Sequence, residues 1–125
     1  MDNKPFSIKD RLRSFRYAFK GVVVLFAREH NARIHAVATV CVVGAGFLFG
    51  ISRMEWVAVV IAIGMVLAAE AINAAIEYLA DFVSPGHNEY IGKAKDVAAG
   101  AVLIMAICAV VIALIIFIPK VIGNA

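Results

Sequence analysis

Residues 97–118 read VAAGAVLIMAICAVVIALIIFI, a run with no charged position. A helix needs about 20 apolar residues to cross a hydrocarbon core of about 30 Å. A soluble helical bundle would keep a polar outer face, and this run has none. It predicts a membrane-spanning helix.

Two further stretches have the same character: IHAVATVCVVGAGFLFG at 34–50, and residues 56–78, which begin WVAVVIAIGMVLAAE. The 125-residue chain is 63% hydrophobic with a mean hydropathy of +0.91, a membrane protein's balance. The expected fold is all-α, one domain over 1–125 with three transmembrane helices. No internal repeat or low-complexity linker divides it. The short loops, GISRME near residue 50 and SPGHNEYIG at 84–92, carry turn punctuation.

Before the first span, Ile8, Leu12, Phe15, Phe19, Val22 and Phe26 recur at spacings of 4, 3, 4, 3 and 4, one apolar stripe on a helix over about 7–30. Lys9, Arg13, Arg16 and Lys20 take other faces. Such a helix suits the membrane interface, with its basic residues among headgroups. The alternative, a soluble helix packed on a partner, fits poorly with three spans following directly. The charged, amphipathic start lacks the apolar core and small-residue cleavage site of a signal peptide, so the mature chain is expected to begin at or near Met1.

Eight of the 12 Lys and Arg precede the first span, against Arg53 alone in the first loop, Lys93 and Lys95 in the second, and Lys120 at the end. The positive-inside rule then predicts a cytoplasmic N-terminus and a cytoplasmic 84–96 loop. The net charge of +3 belongs to membrane-flanking segments, so anionic lipid headgroups, and not nucleic acid, are the expected partner. Cys41 and Cys108 lie inside apolar runs and behave as small hydrophobes.

Within the second span, EAINAAIEYLAD at 70–81 is the anomaly, since an ionisable group at the centre of a span costs at least about 2.5 kcal/mol on insertion scales. At about 100° per residue, Glu70, Asn73, Glu77 and Asp81 share one narrow face. If the span enters near Trp56, Glu70 lies about 21 Å in and Glu77 about 31 Å, at the cytoplasmic interface. KAKD at 93–96 puts Lys95 and Asp96 at the same edge, with Glu29 expected nearby.

Hard oxygen donors beside a lysine suit Mg²⁺ and a polyphosphate, and a deeper carboxylate could take a proton from a lipid hydroxyl attacking a γ-phosphoryl group. Against this, polar residues can simply hold helices together, though gains near 0.6 kcal/mol are small beside the cost of burying an acid. For KAKD, spacing alone favours a solvated helix start with Asp96 near its N-terminus. His30, His35 and His87 lack the spacing of a zinc site and are expected at the surface or interface. No GxxxxGK[ST] loop or protein-kinase HRD and DFG set is present. Two classes stay open from pattern: a membrane phosphotransferase, or a small ion- or proton-coupled transporter using Glu70 as its carrier.

EAINAAIEYLAD at 70–81, GKAKDVAAGAVL at 92–103 and REHNARIH at 28–35 together resemble the prokaryotic diacylglycerol kinase family, which includes undecaprenol kinases. The likeness runs from FRYAFKG at 15–21 to the third span. It implies a homotrimeric enzyme of the bacterial inner membrane that uses ATP with Mg²⁺. By that resemblance Glu70 is the catalytic carboxylate, supported by Asn73, and Glu29 and Glu77 are metal ligands. Tyr17, Glu29, Glu77, His87, Lys95 and Asp96 face the nucleotide, and Arg33 with Glu70 faces the lipid. Diacylglycerol is the nominal acceptor, with undecaprenol as the alternative because E-x-N-x-R-I-H at 29–35 is similar to the Gram-positive, undecaprenol-accepting members.

Overall fold

Four helices make up the chain in a computed structural model that describes residues 4–123; the expected start at Met1 lies outside them. In order they are α1 (Ile8–Arg28), α2 (His30–Phe49), α3 (Arg53–Val83) and α4 (Glu89–Val121). α2, α3 and α4 are long and apolar enough to cross a membrane. α3 and α4, at 31 and 33 residues, overrun the apolar windows that pick out the spans. At 1.5 Å per residue α4 is about 50 Å long and extends past a hydrocarbon core of about 30 Å.

Caps explain the difference. The Ser52 hydroxyl accepts from the Glu55 amide while the Glu55 side chain accepts from the Ser52 amide, a capping box that starts α3 ahead of Trp56. Asn88 Oδ1 accepts from the amides of Tyr90 and Ile91 and starts α4 well before the apolar run. KAKD therefore lies inside α4 and not at its beginning, which removes the helix-start explanation for Asp96. Hydropathy marks where a helix meets lipid; polar caps decide where it begins and ends.

At the opposite end of the bundle, Gly50 closes α2 with φ +60°, and Ile51 turns inward against Val59 and Ile116. Gly46 admits the Trp56 indole so closely that a Cβ there would lie 2.6 Å from the ring. The Lys120 ammonium stands 3.2 Å from the Glu55 carboxylate, tying the end of α4 to the start of α3. α3 packs most extensively on α4, with α2 lying chiefly along α3.

Near the other end, Leu25 of α1, Ala32 of α2 and Ala74 of α3 form a second small buried cluster. α1 runs against α3 along a cleft lined by Ala18, Gly21 and Leu25 on one side and Ala71, Ala75 and Tyr78 on the other. Its stripe residues Ile8, Leu12, Phe15, Phe19 and Val22 stay exposed, as do Ile72, Leu79, Phe82, Leu103 and Ile115 on α3 and α4. That much apolar surface suits a chain surrounded by lipid.

Candidate active site

The chain breaks between α1 and α2 at one residue, Glu29, whose extended backbone (φ −101°, ψ 116°) caps one helix and begins the next. Arg33, one turn into α2, reaches back across the break. Its Nε donates to the Phe26 carbonyl at 2.8 Å and a terminal nitrogen donates to that of Ala27. These are orphan carbonyls at the end of α1, so Arg33 fixes the corner that carries Glu29. The resemblance assigns Arg33 to the lipid; in the fold at least two of its donors serve this corner.

Glu29 Oε2 accepts a 2.7 Å hydrogen bond from the Tyr78 hydroxyl, which brings the α1–α2 corner onto α3 beside Glu77. One and two turns deeper, Asn73 is 8% exposed and Glu70 2%, the buried polar residues of the described chain. Glu77 lies two turns from Glu70 on the same face of α3, and the Tyr78 bond brings Glu29 to that end of the helix. Neither Glu70 Oε1 nor Asn73 Oδ1 accepts a hydrogen bond from any described residue. Buried oxygens in that state cost free energy unless another group meets them.

His35 of α2 stands beside the same carboxylate, with Nε2 3.2 Å from Glu70 Oε1, at ion-pair distance but off the hydrogen-bonding line. The sequence reading set this histidine aside because it lacks zinc-site spacing. A depth signal was available: His35 follows Glu29 by six residues and Glu70 precedes Glu77 by seven. Both therefore lie about 10 Å inward from the carboxylates at the corner. Tyr78, also missed, reads as one more aromatic in an apolar helix.

On α4, Lys95 Nζ donates to Asp81 Oδ1 at 2.6 Å, which joins the last residue of the polar stripe to KAKD. Tyr17 lies exposed on α1, with the Lys20 ammonium 5.9 Å from its ring centroid. His87 is exposed in the α3–α4 turn and Asp96 is exposed on α4. None of the three is hydrogen-bonded or ion-paired to the stripe. The fold thus sets Glu70, Asn73 and Glu77 along one face of α3, ties Glu29 to Tyr78 beside Glu77, links Asp81 to Lys95, and shows no such contact for Tyr17, His87 and Asp96.

No group of three or more His, Cys, Asp and Glu among the described residues forms a cage for a metal ion. Mg²⁺ does not require one, since it keeps several waters and takes one or two carboxylates together with phosphate oxygens. Glu29, tied to Tyr78, and Glu77, the residue before it on α3, are oxygen donors at the end of an apolar span and suit that demand in kind.

A family model described as prokaryotic diacylglycerol kinase matches residues 16–117. The chain is 37% identical over 108 residues to the undecaprenol kinase of Bacillus subtilis (strain 168), covering 86% of this chain and 88% of that one. It is 38% identical over 100 residues to the diacylglycerol kinase of a Synechocystis strain, covering 79% of this chain and 57% of that one. With the diacylglycerol kinase of Escherichia coli (strain K12) it shares 30% identity over 95 residues, 76% of this chain and 78% of the relative. The transporter alternative finds no support among these relatives. This chain belongs to the prokaryotic diacylglycerol kinase family.

Proposed function

We propose that this chain is an integral membrane lipid kinase that transfers the γ-phosphoryl group of ATP to the hydroxyl of a membrane lipid alcohol. The observation that carries the reading is Glu70, a carboxylate 2% exposed inside an apolar span. A water-soluble acceptor would not require a base at that depth. A lipid hydroxyl does.

In the proposed mechanism Glu70 receives the proton of the attacking hydroxyl as its oxygen bonds to the γ-phosphorus and the bond to the ADP oxygen breaks. Asn73, one turn along the same face, orients the reacting hydroxyl or phosphate through its unpartnered amide oxygen and its amide donors. Glu29 and Glu77 would hold Mg²⁺, which when bound would neutralise phosphate charge. Lys95 and Asp96 approach the nucleotide from α4, Tyr17 from α1 and His87 from the α3–α4 turn, while Arg33 steadies the corner at the lipid side. Packing among apolar neighbours keeps water from competing with the lipid for the phosphoryl group.

The same reading makes α1 an amphipathic interfacial helix over anionic headgroups, the N-terminus cytoplasmic, the location the bacterial inner membrane, and the working assembly a homotrimer. The acceptor is diacylglycerol in one reading, carried by the names of two of the relatives described above. Undecaprenol is the second. It is favoured by the relative matched over 86% of this chain and by E-x-N-x-R-I-H at 29–35.

Purified protein in mixed micelles with labelled MgATP tests both, with a diacylglycerol and a polyprenol supplied in parallel. The expected result is label in the lipid fraction, at least about tenfold faster for the true acceptor. Glu70→Gln keeps the shape and removes the base, so kcat should fall by about 10²-fold or more with KM for MgATP little changed. Glu29→Gln and Glu77→Gln should instead raise the Mg²⁺ and ATP needed. Wild-type protein that labels neither lipid defeats the kinase reading.

A further inference from the structure

The His35 imidazole lies between two unlike surroundings. On one side is the Glu70 carboxylate, with Nε2 3.2 Å from Oε1. On the other is a cavity of about 80 Å³ between α2, α3 and α4, lined by Ala38, Val42, Val59, Val66 and Ile112. The hydroxyl on that lining, Thr39, donates to the His35 backbone carbonyl at 2.8 Å. The carboxylate is therefore the strong acceptor within reach of the ring.

We infer that His35 is a positioning residue for Glu70: its imidazole Nε2 lies 3.2 Å from Oε1, and a small turn of the ring onto that oxygen fixes the carboxylate with Oε2 toward the acceptor hydroxyl. The inference rests on the kinase reading and gives a role to the histidine that ends E-x-N-x-R-I-H at 29–35. A glutamate has three side-chain torsions, and burial alone does not choose among its rotamers. Displacement of a reacting group by about 1 Å can cost about 10²-fold in rate. His35 comes from a different helix from Glu70, so the packing of α2 on α3 is transmitted directly to the carboxylate's aim. Being a quarter exposed, the ring has little freedom to leave it.

The test is a set of full-length variants assayed in mixed micelles with labelled MgATP and the better lipid alcohol. His35→Leu should lower kcat about 10- to 100-fold while KM for MgATP stays within about twofold. His35→Gln places an amide nitrogen near the position of imidazole Nε2 and should recover most of the loss; the shorter His35→Asn should not. On a Glu70→Gln background His35→Leu should cost less than about threefold, because its partner is already disabled.

Unchanged turnover in His35→Leu, an equal loss on the Glu70→Gln background, or a loss confined to KM for MgATP overturns the inference. If His35→Leu fails to assemble by gel filtration, the Gln and Asn variants decide, and equal rates for those two overturn it. Wild-type protein that phosphorylates no lipid alcohol overturns the kinase reading and this inference together. Active wild-type protein with a neutral His35→Leu overturns the inference alone.

Discussion

The Tyr78 hydroxyl and Glu29 Oε2 meet at 2.7 Å, although 49 positions separate them in the chain. This bond fastens the one-residue break between α1 and α2 to the end of α3 that carries Glu77. It makes Glu29, otherwise a corner residue free to choose among rotamers, part of the polar stripe.

Tyr78→Phe removes that hydroxyl and keeps the ring that lines the cleft between α1 and α3. The expected result is a KM for MgATP raised about three- to tenfold, the scale of one hydrogen bond, with kcat within about twofold. Raising Mg²⁺ should recover part of the loss. Titrating MgATP at two Mg²⁺ concentrations checks this, and a pure kcat defect contradicts it.

The three spans and the polar face of α3 were legible in the sequence because each depends on local spacing: an uncharged run of adequate length, and four polar residues at helical intervals. What escaped depends on how helices meet. Asn88 is an ordinary loop residue until it is seen accepting two amides at the start of α4. Arg33 reads as a charge beside the membrane, whereas its donors reach carbonyls six and seven residues upstream. His35 and Tyr78 gain their partners only when α2 and α3 lie side by side at a particular rotation, which apolar periodicity on nearly all-apolar helices does not specify.

The proposed orientation has a direct test. With Cys41 and Cys108, both exposed on their helices, replaced by Ala, single cysteines can be placed at Arg53 and Gly86. Gly86 suits the purpose because a Cβ there meets nothing within 4 Å, whereas Asn88 caps α4. An impermeant thiol reagent on intact cells should label Arg53→Cys, and Gly86→Cys should react only after the cells are opened. Reversed labelling would place the carboxylates of the corner on the side without ATP.

Gly46 and Gly44 form a matched pair on α2. A Cβ at Gly46 would lie 2.6 Å from the Trp56 ring and 3.1 Å from Ile51, while one at Gly44 meets nothing within 4 Å. Gly46→Ala should destabilise the fold by about 1–3 kcal/mol, the cost of an overpacked contact. Gly44→Ala should be neutral or slightly stabilising, because alanine is the better helix former. Thermal or denaturant unfolding in one detergent compares them; equal behaviour would mean that the indole moves aside freely.

The last expectation concerns Lys95, whose ammonium is held 2.6 Å from Asp81 Oδ1. If Lys95 serves the nucleotide, phosphate oxygens and the Asp81 carboxylate compete for one set of N–H donors. Lys95→Met should then raise KM for MgATP about tenfold with kcat little changed. Asp81→Asn removes the competing charge and keeps a weaker acceptor, so KM should fall by about twofold or stay level. In the double variant the lysine is absent whatever stands at 81, and KM should match Lys95→Met alone. The contrary pattern, Asp81→Asn raising KM as strongly as Lys95→Met, would mean that the pair acts as a brace between α3 and α4 and that the phosphates find their cation elsewhere.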